Sequence, residues 1–559
     1  MTELLTVISI VFIIAGPFLL LANYLRLPTA PALIVAGLAA GGFIDPQLKL
    51  EMARLGIALL VFTFAVRIQT TDLQTAIGDS EVVALAQLAI VGPVGFGAGL
   101  LLGLGPGQAI FLGIATAISS SIAGSTLFLP GTLELVHDRL SESIHSIQDF
   151  TALILLLIVS GGAFALDPIA NQFGYGVMLL LLAIAINRYL YDLLVRFSGG
   201  VDESLLIGTI ALLLLFLGAA EFVGLSIVVG AFAAGVAVPH EGVEYSGVLN
   251  GLEPINNFFA GIFFITVGAL VTLPTWEVIV TTLVLVGVVG IIKPAVTIAL
   301  LIYKGYERRT ATLTGFNLDQ IGEFALIIAI EGLFLGLLAS SVFDAIILAA
   351  AITLLTSSFT RQYDEEIYHL LANNGLLGRH GRTVERWSNV PEDLTDHIVI
   401  VGYGRHGRRL VETCEEHDRS YVVIESNPAL IDDLQENCRA HVFGDVVEPK
   451  TLEKARLTEA DLVISTADSR PVNEHVVSYS NRVDVIVRSK DRASARELLD
   501  SGAFYVSVSD LLAADRLEER FEGLIEGNYD REMLRQEALD SIDEYSGAPY
   551  RAADERVSV

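Results

Sequence analysis

Ser146-Ile147-Gln148-Asp149-Phe150 heads an apolar run that continues to about Phe164, and it sets a carboxylate where a carboxylate is expensive. A charge at a bilayer centre costs roughly 2.5–3.5 kcal/mol on insertion scales, so such residues are rare and usually functional. Read as a membrane span, the run makes Asp149 a group that can hold a proton and a bare cation in turn. The plainer alternative is an aspartate at the membrane edge that caps a helix or pairs with an arginine.

The composition around it supports the span. The chain has 559 residues, 53% of them hydrophobic, and a mean hydropathy of +0.59. Long apolar runs recur through residues 1–361; from Arg361 onward the chain is charged, as a soluble domain is. A helix needs about 20 apolar residues to cross, and on that measure the first part holds about 13 candidate spans. The first of them is too long for a signal segment and lacks a basic leader, so it is expected to be a true helix. An odd count puts the two ends on opposite faces. Arg26, Arg67, Arg139, Arg196, Lys304, Arg308, Arg309 and Arg361 then share one face, against Lys49 and Arg54 on the other. The positive-inside rule predicts an external N-terminus and a cytosolic C-terminal domain, in a multi-pass protein of the plasma membrane.

The net charge is −29, with 12 Lys and Arg against 24 Asp and Glu in residues 1–361 and 23 against 40 in the remainder. A chain this acidic is not built to bind nucleic acid. Only 6 of its 35 basic residues are lysine; excess surface acid with scarce lysine suits concentrated salt and predicts a halophile, haloarchaeal in origin. The only cysteines, Cys414 and Cys438, lie in the soluble part without metal-ligand spacing. They read as buried thiols of a reducing compartment, and no structural metal is expected.

Two of the apolar segments look interrupted. One carries Ser119-Ser120-Ser121 at mid-span; the other carries Gly315-Phe316-Asn317-Leu318-Asp319-Gln320-Ile321-Gly322-Glu323. They fall at matching positions in two halves of about six helices each. Transporters built from inverted repeats place broken helices in that way, with the ion site where they cross. Interhelical hydrogen bonding is the alternative for the serines. Lys293, in Ile291-Ile292-Lys293-Pro294, is a second charge at mid-span. It reads as a partner or competitor of Asp149, or as half of a structural ion pair.

Taken together, these stretches resemble the Kef-type and Na+/H+-exchanger-like monovalent cation:proton antiporters over nearly the whole chain. The matching residues are Ser119-Ser120-Ser121, Gln148-Asp149, Gly224-Leu225-Ser226, Gly230 to Gly235, Gly261 to Gly268, Lys293 and Gln320-Ile321-Gly322-Glu323-Phe324. The resemblance implies a homodimer in which a core bundle moves like an elevator against a scaffold. It assigns the proton or cation to Asp149, with Gln148 replacing a second acid, Ser120, Ser121 and Gln320 lining the crossing, and Lys293 and Glu323 beside it. A single carboxylate implies electroneutral exchange, and the Gln-Asp pair leans toward K+, with Na+ open. The family often ends its third helix on Gly-Leu-Glu, whereas this chain has Ala65-Val66-Arg67.

After a linker over 362–395, Ile398-Val399-Ile400-Val401 leads into Gly402-Tyr403-Gly404-Arg405-His406-Gly407 and an amphipathic helix. A second strand, Tyr421-Val422-Val423-Ile424, ends at Glu425. Strand, glycine turn, helix, strand and acid form a dinucleotide fingerprint, in which the glycines admit phosphate and the acid binds ribose hydroxyls. The domain, 396–515, resembles TrkA-N (RCK) regulatory domains, which implies NAD(H) or AMP/ATP as regulator and places Asp445 near the adenine. Arg405 and Arg488 are positioned for an anionic effector. Residues 516–559 form an acidic tail.

The expected fold is thus a polytopic α-helical membrane domain over 1–361 followed by a cytosolic α/β Rossmann-like domain. Two other classes are weighed. Val401-Gly402-Tyr403-Gly404 mimics the filter of a nucleotide-gated potassium channel, but it follows a soluble strand, and a filter needs loops at membrane depth. A tethered dehydrogenase would need a substrate domain, which the short remainder does not offer, so no enzyme activity is expected.

Overall fold

The computed structural model describes residues 2–67, 78–119, 136–160, 166–272, 274–374 and 388–526, short breaks aside, and a few positions between 530 and 539. Contacts divide the chain into two compact units. One is Met1–Leu129, His137–Lys304 and Arg308–Leu377; the other is Pro130–Val136, Gly305–Glu307 and Gly378–Val559.

The first unit is helical. Its elements run α1 (Thr2–Leu25), α2 (Thr29–Ala40), α3 (Pro46–Arg67), α4 (Gly78–Leu101), α5 (Pro106–Ala117), α6 (Val136–Val159), α7 (Leu166–Ala185) and α8 (Tyr191–Ser198). They continue with α9 (Asp202–Phe222), α10 (Ile227–Val236), α11 (Val243–Leu270), α12 (Trp276–Gly287), α13 (Lys293–Lys304), α14 (Arg308–Asn317), α15 (Glu323–Phe334), α16 (Ser340–Gln362) and α17 (Asp364–Asn373). Most are apolar on every face, the pattern of helices surrounded by other helices or by lipid. The outer surface agrees: Leu101 and Phe222 are each 92% exposed, which hydrocarbon tolerates and water does not. Among the described residues, four helices are long and apolar enough to cross a membrane: Ser80–Leu101, Glu203–Phe222, Trp276–Lys304 and Ser340–Gln362.

Packing gathers these helices around two centres, with α16, which also lies on α2, between them. α10 lies on α3 and α9, and α11 on α2 and α3; separately, α4 lies on α5, α13 on α4 and α14, α12 on α16, and α15 on α5 and α16. The second group holds both interruptions. α5 stops at Ala117, with Ile118 extended. Between α14 and α15, residues 318–322 are not helical. A π turn over Val288–Ile292 joins α12 to α13 and delivers Lys293 as the next residue; such turns recur at functional sites. α17 follows α16 within the stretch expected as a linker, and it is tied to α14 by a fork from the Arg309 guanidinium to the Glu365 carboxylate.

The second unit is a six-stranded parallel sheet in the order β3-β2-β1-β4-β5-β6. Its strands are β1 (His397–Val401), β2 (Tyr421–Glu425), β3 (His441–Phe443), β4 (Ala460–Ser465), β5 (Asp484–Ser489) and β6 (Tyr505–Val508). Near-continuous Val and Ile runs suit strands covered on both faces, and Val399, Val422, Val463, Val485 and Val487 form the core. The connecting helices are α18 (Arg405–Glu416), α19 (Ile431–Asn437), α20 (Pro449–Lys454), α21 (Arg470–Tyr479) and α22 (Arg492–Asp500), and α23 (Ser509–Glu526) follows β6. This is the doubly wound order, with its switch point between β1 and β4. The expected architecture, helical membrane part and then Rossmann-like domain, is the one observed.

Candidate functional site

In the first unit the two interruptions meet. The Gly322 N–H donates to Ile118 O at 3.0 Å, and the Ser119 hydroxyl donates to Leu318 O at 3.1 Å. Only glycine fits at 322, because a Cβ there would stand 2.3 Å from Ser119 O. Each break leaves helix-end carbonyls without helical partners, and such groups persist in a membrane protein only where other groups satisfy them or a cavity is lined.

Gln148 ties α6 to this crossing. Its Oε1 accepts from the Ser119 N–H at 2.9 Å, and its Nε2 donates to Gln87 Oε1 on α4 at 2.9 Å. With both ends of the amide engaged, the next residue is held in place: Asp149 is 1% exposed. From the other side Lys293, fully buried, donates through Nζ to Gln320 O at 3.0 Å and interacts electrostatically with Asp319. Gln320 is itself braced, its Oε1 accepting from the Ser357 hydroxyl at 3.0 Å and its Nε2 donating to Asn317 O at 3.2 Å. The Ile321 N–H donates to Thr353 Oγ1 at 3.2 Å. Glu323 opens α15 and is buried. Ser120 and Ser121 lie outside the described residues; Ser119 of the same run is the serine seen at the crossing.

The sequence reading passed over Gln87, Thr353 and Ser357. Gln87 is a lone amide in the apolar Ala-Leu-Ala-Gln-Leu-Ala-Ile run of α4, a signal of the same kind as Asp149. The two hydroxyls of α16 carried none, since Ser and Thr are common in membrane helices.

In the second unit the fingerprint residues converge at the carboxyl edge of the sheet. Gly402 has φ +93, a left-handed conformation natural to glycine, and a Cβ at Gly407 would stand 2.0 Å from Gly402 O. Gly404 caps α18, with Arg405 as its first residue and exposed. Glu425, at the end of β2, accepts the Tyr403 N–H on Oε2 and the Ser426 and Asn427 N–H groups on Oε1, each at 2.8 Å. Asp445 follows β3 and accepts the Val447 N–H on Oδ1 at 3.1 Å. Arg488 of β5 donates to Thr466 O, just after β4, at 3.4 Å. A tight turn, a helix N-terminus and an acid fixed beside the turn suit a nucleotide's phosphates and ribose. Under this edge Cys414 and Cys438 are free and buried. Burial raises both thiols, Cys438 to about 11, which leaves them inert as nucleophiles.

Comparison with known proteins gives a family for each of the two parts of the chain. Residues 7–362 match the sodium/hydrogen exchanger transmembrane family, and residues 398–509 match the TrkA-N domain. YbaL of Escherichia coli (strain K12), a candidate cation/proton antiporter, is 25% identical over 93% of this chain and 98% of its own. KefB of Alkalimonas amylolytica, a candidate K+ efflux antiporter, is 26% identical over 89% of this chain and 78% of its own. The crystal structure of the TrkA-N domain of Escherichia coli ybaL is 25% identical and covers 23% of this chain and 97% of its own, with a TM-score of 0.22. The match over 7–362 spans more than half of the sequence, and the chain belongs to the sodium/hydrogen exchanger family, with a TrkA-N domain behind its membrane part.

Proposed function

We propose that this chain exchanges a monovalent cation for a proton, K+ ahead of Na+, with Asp149 taking each in turn. The observation that carries the reading is the seat of Gln148-Asp149 at the meeting of two helix breaks. A buried carboxylate on the helix that Gln148 ties to two helix breaks suits a site for a dehydrated alkali cation, since crossed broken helices bring backbone oxygens together. The lean toward K+ rests on the single acid, with Gln148 where a second would stand, and on the relative KefB.

In this scheme Gln148 fixes the Asp149 backbone, while Ser120, Ser121, Gln320 and Glu323 line the crossing. Lys293 holds the 318–322 segment through Gln320 O. The helix group that contains the crossing moves against the α2, α3, α10 and α11 group as an elevator, in a homodimer whose N-terminus is external and whose nucleotide domain is cytosolic.

The nucleotide, NAD(H) or AMP/ATP, acts as a regulator. Gly402, Gly404 and Gly407 would admit its phosphates at the α18 N-terminus, beside Arg405. Glu425 would exchange backbone amides for ribose hydroxyls, and Asp445 lies toward the base. Regulation requires the nucleotide to bind the two transport states with different affinity. α17 gives a route, since it continues the chain toward the nucleotide domain and grips α14, one arm of the crossing, through Arg309 and Glu365.

The test is proton-coupled flux in proteoliposomes, wild type against Asp149→Asn, with K+ and Na+ supplied separately. K+-driven proton movement in the wild type and none in the variant is expected. Full exchange by the variant would reduce Asp149 to a structural role.

A further inference from the structure

α6 carries more buried polarity than the exchange site uses. Along one side of the helix below Asp149 lie His145, Ser141 and Asp138, at intervals of three to four residues, which stack on one face. All are buried: Asp138 is 5% exposed, Ser141 1% and His145 4%. Burying such a file costs free energy unless each group is paired or in use. Asp138 is paired, accepting from Asn317 Nδ2 at 3.2 Å beside His137, whose Nε2 is 3.6 Å from Asp138 Oδ1. His145 differs. Its Nε2 is buried and has no hydrogen-bond partner among the described residues.

The surroundings of His145 are charged on several sides. Arg361 of α16 and Lys293 of α13 both act on it electrostatically. Arg361 also acts on Asp138 and Asp319 and donates to Asn317 O at 2.8 Å. On α6 itself, Asp149 lies one turn above, Asp138 two turns below, and Glu142 bears on Asp138. Residues four apart on a helix have Cβ atoms about 6 Å apart, within reach of one bridging water. From Asp138 to Asp149 is eleven residues, roughly 16 Å of helix at 1.5 Å per residue. His145 divides that interval into a step of four residues, about 6 Å, and one of seven, about 10 Å, with buried Ser141 midway along the second.

We propose that His145 relays protons between Asp149 and the Asp138 end of α6, so that protons reach the exchange site along this face. The relay moves a proton only: His145 accepts it at Nε2 and releases it to the next acceptor, with no bond to carbon made or broken. Imidazole is suited to the task because one ring nitrogen can accept a proton while the other gives one up. Asp149 remains the group that holds the cargo, and His145 is a positioning and transfer residue for one of the two cargoes. The inference rests on the exchange proposed above.

The experiment uses the full chain in proteoliposomes and separates the cargoes. 86Rb+ self-exchange at equal pH on both sides needs no net proton movement, whereas K+-driven acidification or alkalinisation of a trapped pH dye does. His145→Gln is expected to keep 86Rb+ self-exchange within about two-fold. Its K+-driven proton movement is expected to fall roughly 100-fold, the lower end of the range for loss of a positioned proton carrier, and its pH profile to flatten. His145→Ala should regain part of the proton flux when imidazole is added. Unchanged proton flux and pH profile in His145→Gln would overturn the relay. So would parallel loss of both fluxes with no imidazole rescue, which marks a packing role. A wild type inactive in both assays would instead remove the exchange reading, and the relay with it.

Discussion

Replacing Gly322 by alanine tests the crossing itself, with a single methyl group. The added Cβ would lie 2.3 Å from Ser119 O and 2.7 Å from Ser119 C, both backbone atoms, whereas ordinary contact begins at 3.4 Å. The two interrupted segments must therefore part by about 1 Å, and neither has a flexible side-chain end to yield instead. Parting them stretches the Gly322 N–H bond to Ile118 O, now 3.0 Å, and displaces Ser119, whose N–H orients Gln148. A misplacement of about 1 Å at a reacting centre costs on the order of 100-fold in rate. K+-driven proton flux in proteoliposomes should fall by about that factor, while the protein still elutes as a folded species in detergent. Gly287→Ala is the matched control: it ends α12, and an added Cβ there meets nothing within 4 Å. Gly322→Ala transporting at the wild-type rate would refute the role given to the crossing. Equal loss in the control would assign the effect to alanine in membrane helices generally.

Two further outcomes concern the nucleotide domain. Glu425→Ala should weaken NAD or AMP binding by roughly ten-fold or more in a titration followed by calorimetry, the scale of a lost charge-assisted hydrogen bond, and unchanged affinity would remove Glu425 from the site. The pH dependence of stability follows from Cys438, raised by burial from 9.0 to about 11 in the fold. A folded value above the unfolded one means that the fold favours the neutral thiol. That stability is complete below about pH 9 and is lost as pH rises toward about 11. The melting temperature of the domain should drop across that window, and a Cys438→Ala variant should show a smaller drop; an equal drop would exclude the thiol as its source.

The residues legible in the sequence are those whose placement is costly by itself. Asp149 and Lys293 stand out because a charge in an apolar run needs a reason before any neighbour is known. The glycine turn and Glu425 stand out because strand, turn, helix and acid follow one another locally. What stayed hidden was tertiary. Ser357 and Thr353 brace residues 320 and 321 from α16 across more than thirty residues of chain, and nothing local announces it. The file below Asp149 was obscured for another reason. The apolar run reads as starting at Ser146, whereas α6 begins at Val136, and its first two turns are too polar to register as membrane helix. Likewise Asp364-Glu365-Glu366 sit in the first turn of α17, a favourable place for acids, yet the polar composition of 362–395 reads as linker.

The substitution of an amide for a second acid bears on why exchange would be obligatory in the proposed scheme. Gln148 is neutral and both ends of its amide are engaged, so it neither needs cargo nor supplies charge. Lys293 and Asp319 offset one another in sign. In that scheme Asp149 is the charge that cargo neutralises, and one proton or one alkali cation does so equally. Loaded with either, the moving helix group carries the same charge, so a complete exchange moves no net charge across the membrane. Unloaded, it carries a buried carboxylate without its cargo, and the desolvation of a buried ion costs several kcal/mol even after relaxation and water penetration. Each 1.4 kcal/mol is a factor of ten, so a penalty of about 4 kcal/mol slows the empty transit roughly a thousand-fold. Tight coupling then needs no separate gate, because the cost of moving Asp149 bare is itself what ties one cargo to the other.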